Sequence, residues 1–365
     1  MPRPTEATIV LDALRANLAL ARAHAPNSKC WAVVKANAYG HGLERVLPAL
    51  AQADGLALIE FGQACRLREL GWKKRILMLE GAFDAADTAA ARAHALDLVV
   101  HCEEQLGWLA ESPGDGPPVH TFAKFDSGLN RLGFDSASLR WAHARLSAMP
   151  AVRSVALMAH FANADLAGGA DESMELFAAA TVGLAGEVSL ANSAAVLSVP
   201  RARRDWIRPG IMLYGGSPFA QHSAADLGLA ATMVLRTRVL ARRVLQPGDA
   251  VGYGSLFRAS EPMPIAVVAC GYADGYPRHA PSGTPVLVDG MPSTTLGRVA
   301  MDLLMIDLRQ CPSAGVGSVV ELWGDKLPID AVAQSAGTIG YELMCALAPR
   351  VAVRVEALSA QSGAL

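Results

Sequence analysis

The sequence predicts an α/β fold: a (β/α)8, TIM-like barrel over residues 1–228, followed by a mostly antiparallel β domain over residues 229–365. Three observations carry this expectation. From Cys30 to about Tyr214, short apolar runs alternate with helical stretches rich in Ala, Leu and Arg; the runs number eight; and beyond about Asp226 the chain changes to alternating β-branched segments broken by Pro, Gly and Asp. Apolar strands alternating with helices imply a parallel sheet covered by helices, and eight units close a barrel. On spacing alone an open doubly wound sheet stays as the alternative.

The eight runs are Trp31–Val34, Leu56–Ile59, Ile76–Leu79, Leu98–Val100, Val119–Ala123, Val155–Ala159, Val188–Ala191 and Trp206–Ile207. They are nearly continuous in apolar residues, as strands buried on both faces must be. Helices are read at Gln63–Leu70 before Gly71, Ala85–Ala95, Leu139–Ala148 before Pro150, and Glu172–Leu184. In the second domain, strands are read at Met233–Val244, Pro264–Cys270, Pro285–Val288, Leu303–Asp307, Val319–Leu322 and Val351–Val355. A helix at Ile329–Ala336 and a shorter helical piece near Tyr341–Leu347 interrupt them. The opening strand, Ala7–Leu11, precedes a helix at Ala13–Ala25 and has no place among the eight, so it is expected to pair with the C-terminal domain.

Composition narrows the function. Hydrophobic residues at 52% against 18% charged residues exclude a disordered chain. Lys+Arg 32 balance Asp+Glu 34, and no basic stripe could neutralise phosphates along a nucleic acid, so a small-molecule partner is expected. No basic segment followed by an apolar run opens the chain, and no stretch reaches the roughly 18 apolar residues of a membrane span. A cytoplasmic protein without membrane association is expected. Six cysteines without Cys-x-x-Cys spacing read as reduced thiols and no metal site.

In such a barrel the reactive groups sit where strands end at the C-terminal face. The first run ends in Lys35-Ala36-Asn37-Ala38-Tyr39-Gly40-His41-Gly42, the fifth in Lys124 through Arg131, the sixth in His160, the seventh in Asn192-Ser193 and the eighth in Arg208-Pro209-Gly210-Ile211. A lysine emerging from an apolar strand is costly unless neutralised, paired or covalently used. Alone, Lys35 would read as a snorkelling surface residue or half of an ion pair. With Tyr39, Ser193 and the backbone around Gly210-Ile211 as donors for a phosphate at a barrel rim, it suggests pyridoxal 5'-phosphate bound as a Schiff base.

The segment Ala32-Val33-Val34-Lys35-Ala36-Asn37-Ala38-Tyr39-Gly40-His41-Gly42 resembles the cofactor-binding signature of alanine racemases. The resemblance continues through Lys124–Gly133, Met158–Asp165, Ala191–Ser193, Ile207–Gly215, Val251–Gly254, Gly271–Gly275, Gly297–Asp302 and Ile339–Glu342, in both domains and in order.

It implies a two-base racemisation of alanine on pyridoxal 5'-phosphate. Lys35 handles the D-isomer's proton, and Tyr253, from the other subunit of a homodimer with shared active sites, handles the L-isomer's. His160 would relay for Tyr253; without the resemblance it reads as a satisfied structural histidine. Arg208 would face the pyridine nitrogen and, as a donor with no acceptor, keep it unprotonated. Arg131 would steer the substrate carboxylate; its bland reading is an ion pair with Asp126 or Asp135. Lys124 aligns with a lysine often carbamylated in the family. Tyr39, Asn192, Ser193, Gly210, Ile211 and Tyr341 would hold the cofactor, and Tyr272 with Met301 would form the substrate side from the partner. Ala300 stands where many relatives carry cysteine. The rivals are a decarboxylase, which needs an acid in place of Arg208; a broad-specificity racemase; and a one-domain cofactor-binding protein, which has no use for Tyr253.

Overall fold

The computed structural model describes residues 3–112 and 116–356, so the outer ends of the two expected domains, 1–2 and 357–365, lie outside the described residues. Eight parallel strands close a barrel: β2 (Lys29–Val33), β3 (Gly55–Leu58), β4 (Arg75–Met78), β5 (Asp97–Val100), β6 (Val119–Lys124), β7 (Val152–Met158), β8 (Val188–Ser189) and β9 (Trp206–Ile207). Closure is made by β9 on β2, with Lys29 opposite Trp206 and Cys30 opposite Ile207. The open-sheet alternative is thereby removed. At the closed lower end, Trp31 of β2 stacks on Trp206 of β9 with centroids 4.2 Å apart and meets Phe122 of β6 edge-on at 6.2 Å. Strands β2 and β6 lie opposite one another, so these rings fill the interior. The Arg75 guanidinium lies 4.9 Å over the Trp206 ring and bonds Asp97 at 2.6 Å.

The structure shortens one expected strand and adds one helix. The seventh apolar run reaches Ala191, but β8 stops at Ser189, because Asn192 caps the next helix, accepting from the Ala195 amide at 3.1 Å. A helix at Glu103–Glu111, with Glu103 and Glu104 in its first turn, joins those read from sequence.

The second sheet runs β13-β16-β15-β14-β17-β10-β1-β18. Its members are β1 (Glu6–Val10), β10 (Met233–Leu245), β13 (Met263–Val268), β14 (Pro285–Val288), β15 (Met291–Leu296), β16 (Leu304–Asp307), β17 (Val319–Trp323) and β18 (Ala352–Glu356). Strand β10 also pairs with β13, so the sheet curls back on itself. The opening strand β1 joins this sheet, antiparallel to β10 (Ile9 opposite Met233) and parallel to β18 (Ala7 opposite Val353). A small hairpin, β11 (Ala250–Val251) with β12 (Phe257–Arg258), carries the Tyr253 turn. Among the described residues no helix is long and apolar enough to cross a membrane.

Candidate active site

Directly after β2 the chain makes a left-handed turn. Ala36, Asn37, Ala38 and Tyr39 have φ of 53°, 53°, 56° and 51°. Such a conformation costs a residue with a Cβ about 1–2 kcal/mol. Four in succession persist only because their surroundings hold them. The Asn37 carbonyl accepts from the Gly42 amide at 2.9 Å, its side-chain oxygen accepts from the Leu43 amide at 2.8 Å, and the Glu60 carboxylate accepts from the Ala36 amide at 3.2 Å. Lys35 heads this turn, half-buried, and its ammonium makes no hydrogen bond or ion pair among the described residues.

Tyr39 is folded back by the turn onto Tyr214, with rings stacked 4.5 Å apart, and Tyr341 lies 6.0 Å away. A Cβ at Gly210 would sit 2.5 Å from the Tyr39 hydroxyl, so only glycine leaves room for it. Ser193 Oγ accepts from the Gly210 amide at 2.8 Å, fixing the loop after β9. The amide of Ile211, first residue of the short turn Ile211–Tyr214, has no partner within that turn. Burial pushes the Tyr39 and Tyr341 phenols well above their usual range, so both remain hydroxyl donors. Asn192 sits one residue before Ser193 but spends its side chain on the helix cap.

Arg208, at the end of β9, is buried and bonds to no carboxylate among the described residues. Its Nη1 donates to Ser189 Oγ at 2.7 Å, and Nη2 donates to the Ala159 carbonyl at 2.8 Å and the Leu190 carbonyl at 3.2 Å. None of these bonds uses Nε. Burial lowers Arg208 to about 10, which leaves it charged at neutral pH. Nη2 also lies 3.4 Å from His160 Nδ1. Guanidinium only donates, so Nδ1 accepts and the His160 proton sits on Nε2. Burial, then the charges of Arg208, Lys124, Arg131 and Lys35, hold His160 well below the usual imidazole range.

Lys124 ends β6, buried; its ammonium is pushed down to about 8 by burial and then by Arg208 and Arg131. Arg131 is exposed and forms no ion pair among the described residues. The bland alternative for it fails: Asp126 accepts from the Gly128 and Asn130 amides, and Asp135 caps the helix Ser136–Ser147. Two rim residues escaped the sequence reading. His101 follows β5 and lies with Nε2 3.1 Å from the carbonyl of Glu80, which follows β4; the strand-end rule applied to those runs would have found both.

Tyr253, Tyr272 and Met301 lie apart from this rim, on the second domain. They are 71%, 38% and 53% exposed. Tyr272 and Met301 are held together, since the Tyr272 amide donates to the Ala300 carbonyl at 3.1 Å and the Ala273 amide to that of Met301 at 3.0 Å. No hydrogen bond, ion pair or ring contact among the described residues joins the three to the barrel rim.

The alanine racemase N-terminal domain family matches residues 9–218, and the alanine racemase C-terminal domain family matches residues 232–355. The chain belongs to the alanine racemase family. An alanine racemase of Janthinobacterium sp. (strain Marseille) is 57% identical over 357 residues, covering 97% of this chain and 99% of its own. One from Cupriavidus necator is 52% identical over 370 residues, covering 100% of this chain and 99% of its own. The biosynthetic alanine racemase of Pseudomonas aeruginosa superposes with a TM-score of 0.95 at 47% identity, over 97% of this chain and 100% of that one. The alanine racemase of Bartonella henselae, solved with covalently bound pyridoxal phosphate, gives 0.87 at 26% identity, over 97% of this chain and 100% of that one. Alanine racemases are pyridoxal-phosphate-dependent isomerases, and this chain is accordingly an isomerase that interconverts L- and D-alanine. Matches across both domains set aside the decarboxylase and the one-domain binding protein.

Proposed function

We propose that this alanine racemase carries pyridoxal 5'-phosphate covalently on Lys35 Nζ and works through two bases from two subunits. The observation that carries the proposal is the set of uncommitted groups on one rim: an unpaired Lys35 ammonium, the Tyr39 hydroxyl over Gly210, the Ile211 amide and an unused Arg208 Nε. When bound, the cofactor acidifies the α-hydrogen of the amino acid attached to it. Every other task falls to the chain.

Tyr39, Ser193, Gly210, Ile211 and Tyr341 hold the phosphate, with Asn192 shaping the helix start beside Ser193. Arg208 Nε would meet the ring nitrogen; a cation with donors only would keep that nitrogen unprotonated and so favour proton return over side reactions. Lys35 Nζ takes and returns the proton on one face. Tyr253 of a partner subunit does so on the other, with neutral His160 in the relay.

Arg131 pairs with the substrate carboxylate, its fork being free of other ions. Tyr272 and Met301 narrow the pocket to a methyl group. Lys124, depressed to about 8, is neutral often enough to be carbamylated, and the resulting anion would pair with Arg131. The exposed Tyr253, Leu256, Tyr272 and Met301 form the apolar face that a second subunit covers, as a shared site requires. Unpaired cysteines and a D-alanine product fit a cytoplasmic enzyme serving peptidoglycan synthesis or alanine catabolism.

Borohydride reduction of the holoenzyme followed by peptide mapping tests the proposal. The pyridoxyl label is expected on Lys35; its appearance on another lysine overturns it.

A further inference from the structure

His41 is fully buried behind the rim and belongs to no group so far given a task. Its ring spans two elements. Nδ1 lies 3.0 Å from the carbonyl of Tyr39, the last residue of the left-handed turn, and Nε2 lies 2.8 Å from Thr232 Oγ1, just ahead of β10 in the second domain. A carbonyl only accepts, so Nδ1 carries the ring proton and donates it to Tyr39. Burial pushes the imidazole down to about 4, so it is neutral and Nε2 is left as an acceptor facing the Thr232 hydroxyl. That hydroxyl has a single proton, which it shares between Nε2 and the Tyr214 carbonyl 2.7 Å away; Tyr214 is the ring on which Tyr39 stacks, and its own hydroxyl donates to the Val33 carbonyl at 2.9 Å. The His41 and Tyr214 rings approach to 4.8 Å.

The remaining supports of the turn are backbone bonds or half-exposed carboxylate and amide contacts. Among the described residues, His41 alone reaches a carbonyl of the turn from a fully buried side chain anchored elsewhere in the fold. We propose that His41 is the positioning residue of the cofactor lysine: by donating from Nδ1 to the Tyr39 carbonyl while Thr232 holds Nε2, it fixes the left-handed turn and so sets Lys35 Nζ and the Tyr39 hydroxyl relative to one another. The assignment rests on Lys35 and Tyr39 holding the cofactor, as proposed above.

Two near-isosteric neutral replacements separate the two ring nitrogens. His41→Asn places an amide N–H where Nδ1 sits, and His41→Gln reaches the place of Nε2 without a donor near the Tyr39 carbonyl. Thr232→Val removes the anchor and leaves the imidazole. Three quantities are measured on each variant: the thermal midpoint, hydrogen exchange at the Gly40 and Gly42 amides that close the turn, and the dissociation constant of added pyridoxal 5'-phosphate. His41→Asn is expected to hold the cofactor within a few-fold of the parent with protected amides. His41→Gln is expected to weaken it by about tenfold, the consequence of one lost buried hydrogen bond, with faster exchange at both amides. Thr232→Val should fall between them. Equal cofactor binding and equal exchange in the Asn and Gln variants, whatever their midpoints, overturn the assignment and leave His41 as packing. The exchange rates in the cofactor-free protein report on the turn even if borohydride labels a lysine other than Lys35, so failure of the lysine assignment is seen separately.

Discussion

Nη2 of Arg208 stands 3.4 Å from Nδ1 of His160, with no carboxylate bonded to either among the described residues. A buried guanidinium satisfied by a serine and two carbonyls is held rigidly and keeps its charge. Replacing Arg208 by Glu should lower racemisation by about 10- to 100-fold, the scale of one or two charge-assisted bonds, and raise the yield of the pyridoxamine side product. Product analysis with L-alanine checks this. Unchanged racemisation with no added side product would contradict the role given to Arg208.

Lys124 carries a pH dependence whose sign is fixed by its depressed affinity for protons. The ordinary value is 10.5 and the folded one about 8, so the folded state binds fewer protons between these values. Stability therefore rises with pH across that window, and the full cost of the buried charge is present below about 8. In CO2-free buffer, Lys124→Met should be more stable than the parent at pH 7 by on the order of 2–3 kcal/mol, the gap closing toward pH 10. Denaturant titrations at both pH values measure it.

At the opposite end of the barrel, Trp31→Ala should cost about 3–5 kcal/mol, since a fully buried ring stacked on Trp206 and lying under Arg75 leaves a cavity that eight strands cannot close. Activity per folded molecule should stay near the parent value, because the rim is built on the other strand ends. A comparison of unfolding midpoints and active-site-normalised rates tests both halves.

The barrel was legible because its strands are apolar on both faces, and each rim residue could be read from the end of a run. What escaped has physical causes. Strand β15 reads Met291-Pro292-Ser293-Thr294-Thr295-Leu296, exposed at its start and without an apolar run, although it lies between β14 and β16. The left-handed turn at Ala36–Tyr39 is written in residues that favour ordinary helix, Ala above all, and is imposed by tertiary bonds. His41 looked like part of a signature, and its anchor at Thr232 lies 191 positions away in the chain. Glu80 and His101 are legible by the same strand-end rule, since they directly follow the runs Ile76–Leu79 and Leu98–Val100.

Tyr253 is 71% exposed on the second domain and bonds to nothing on the rim that carries Lys35, so the central claim is that one site takes its two bases from two chains. Lys35→Ala and Tyr253→Phe subunits, each nearly inactive alone, are mixed in equal amounts and exchanged through mild denaturation. In a mixed dimer one site inherits both defects and the other neither, so activity should return to about a quarter of all sites. No recovery, with mixed dimers demonstrated by chromatography of differently tagged subunits, would show that Lys35 and Tyr253 of one chain serve the same site.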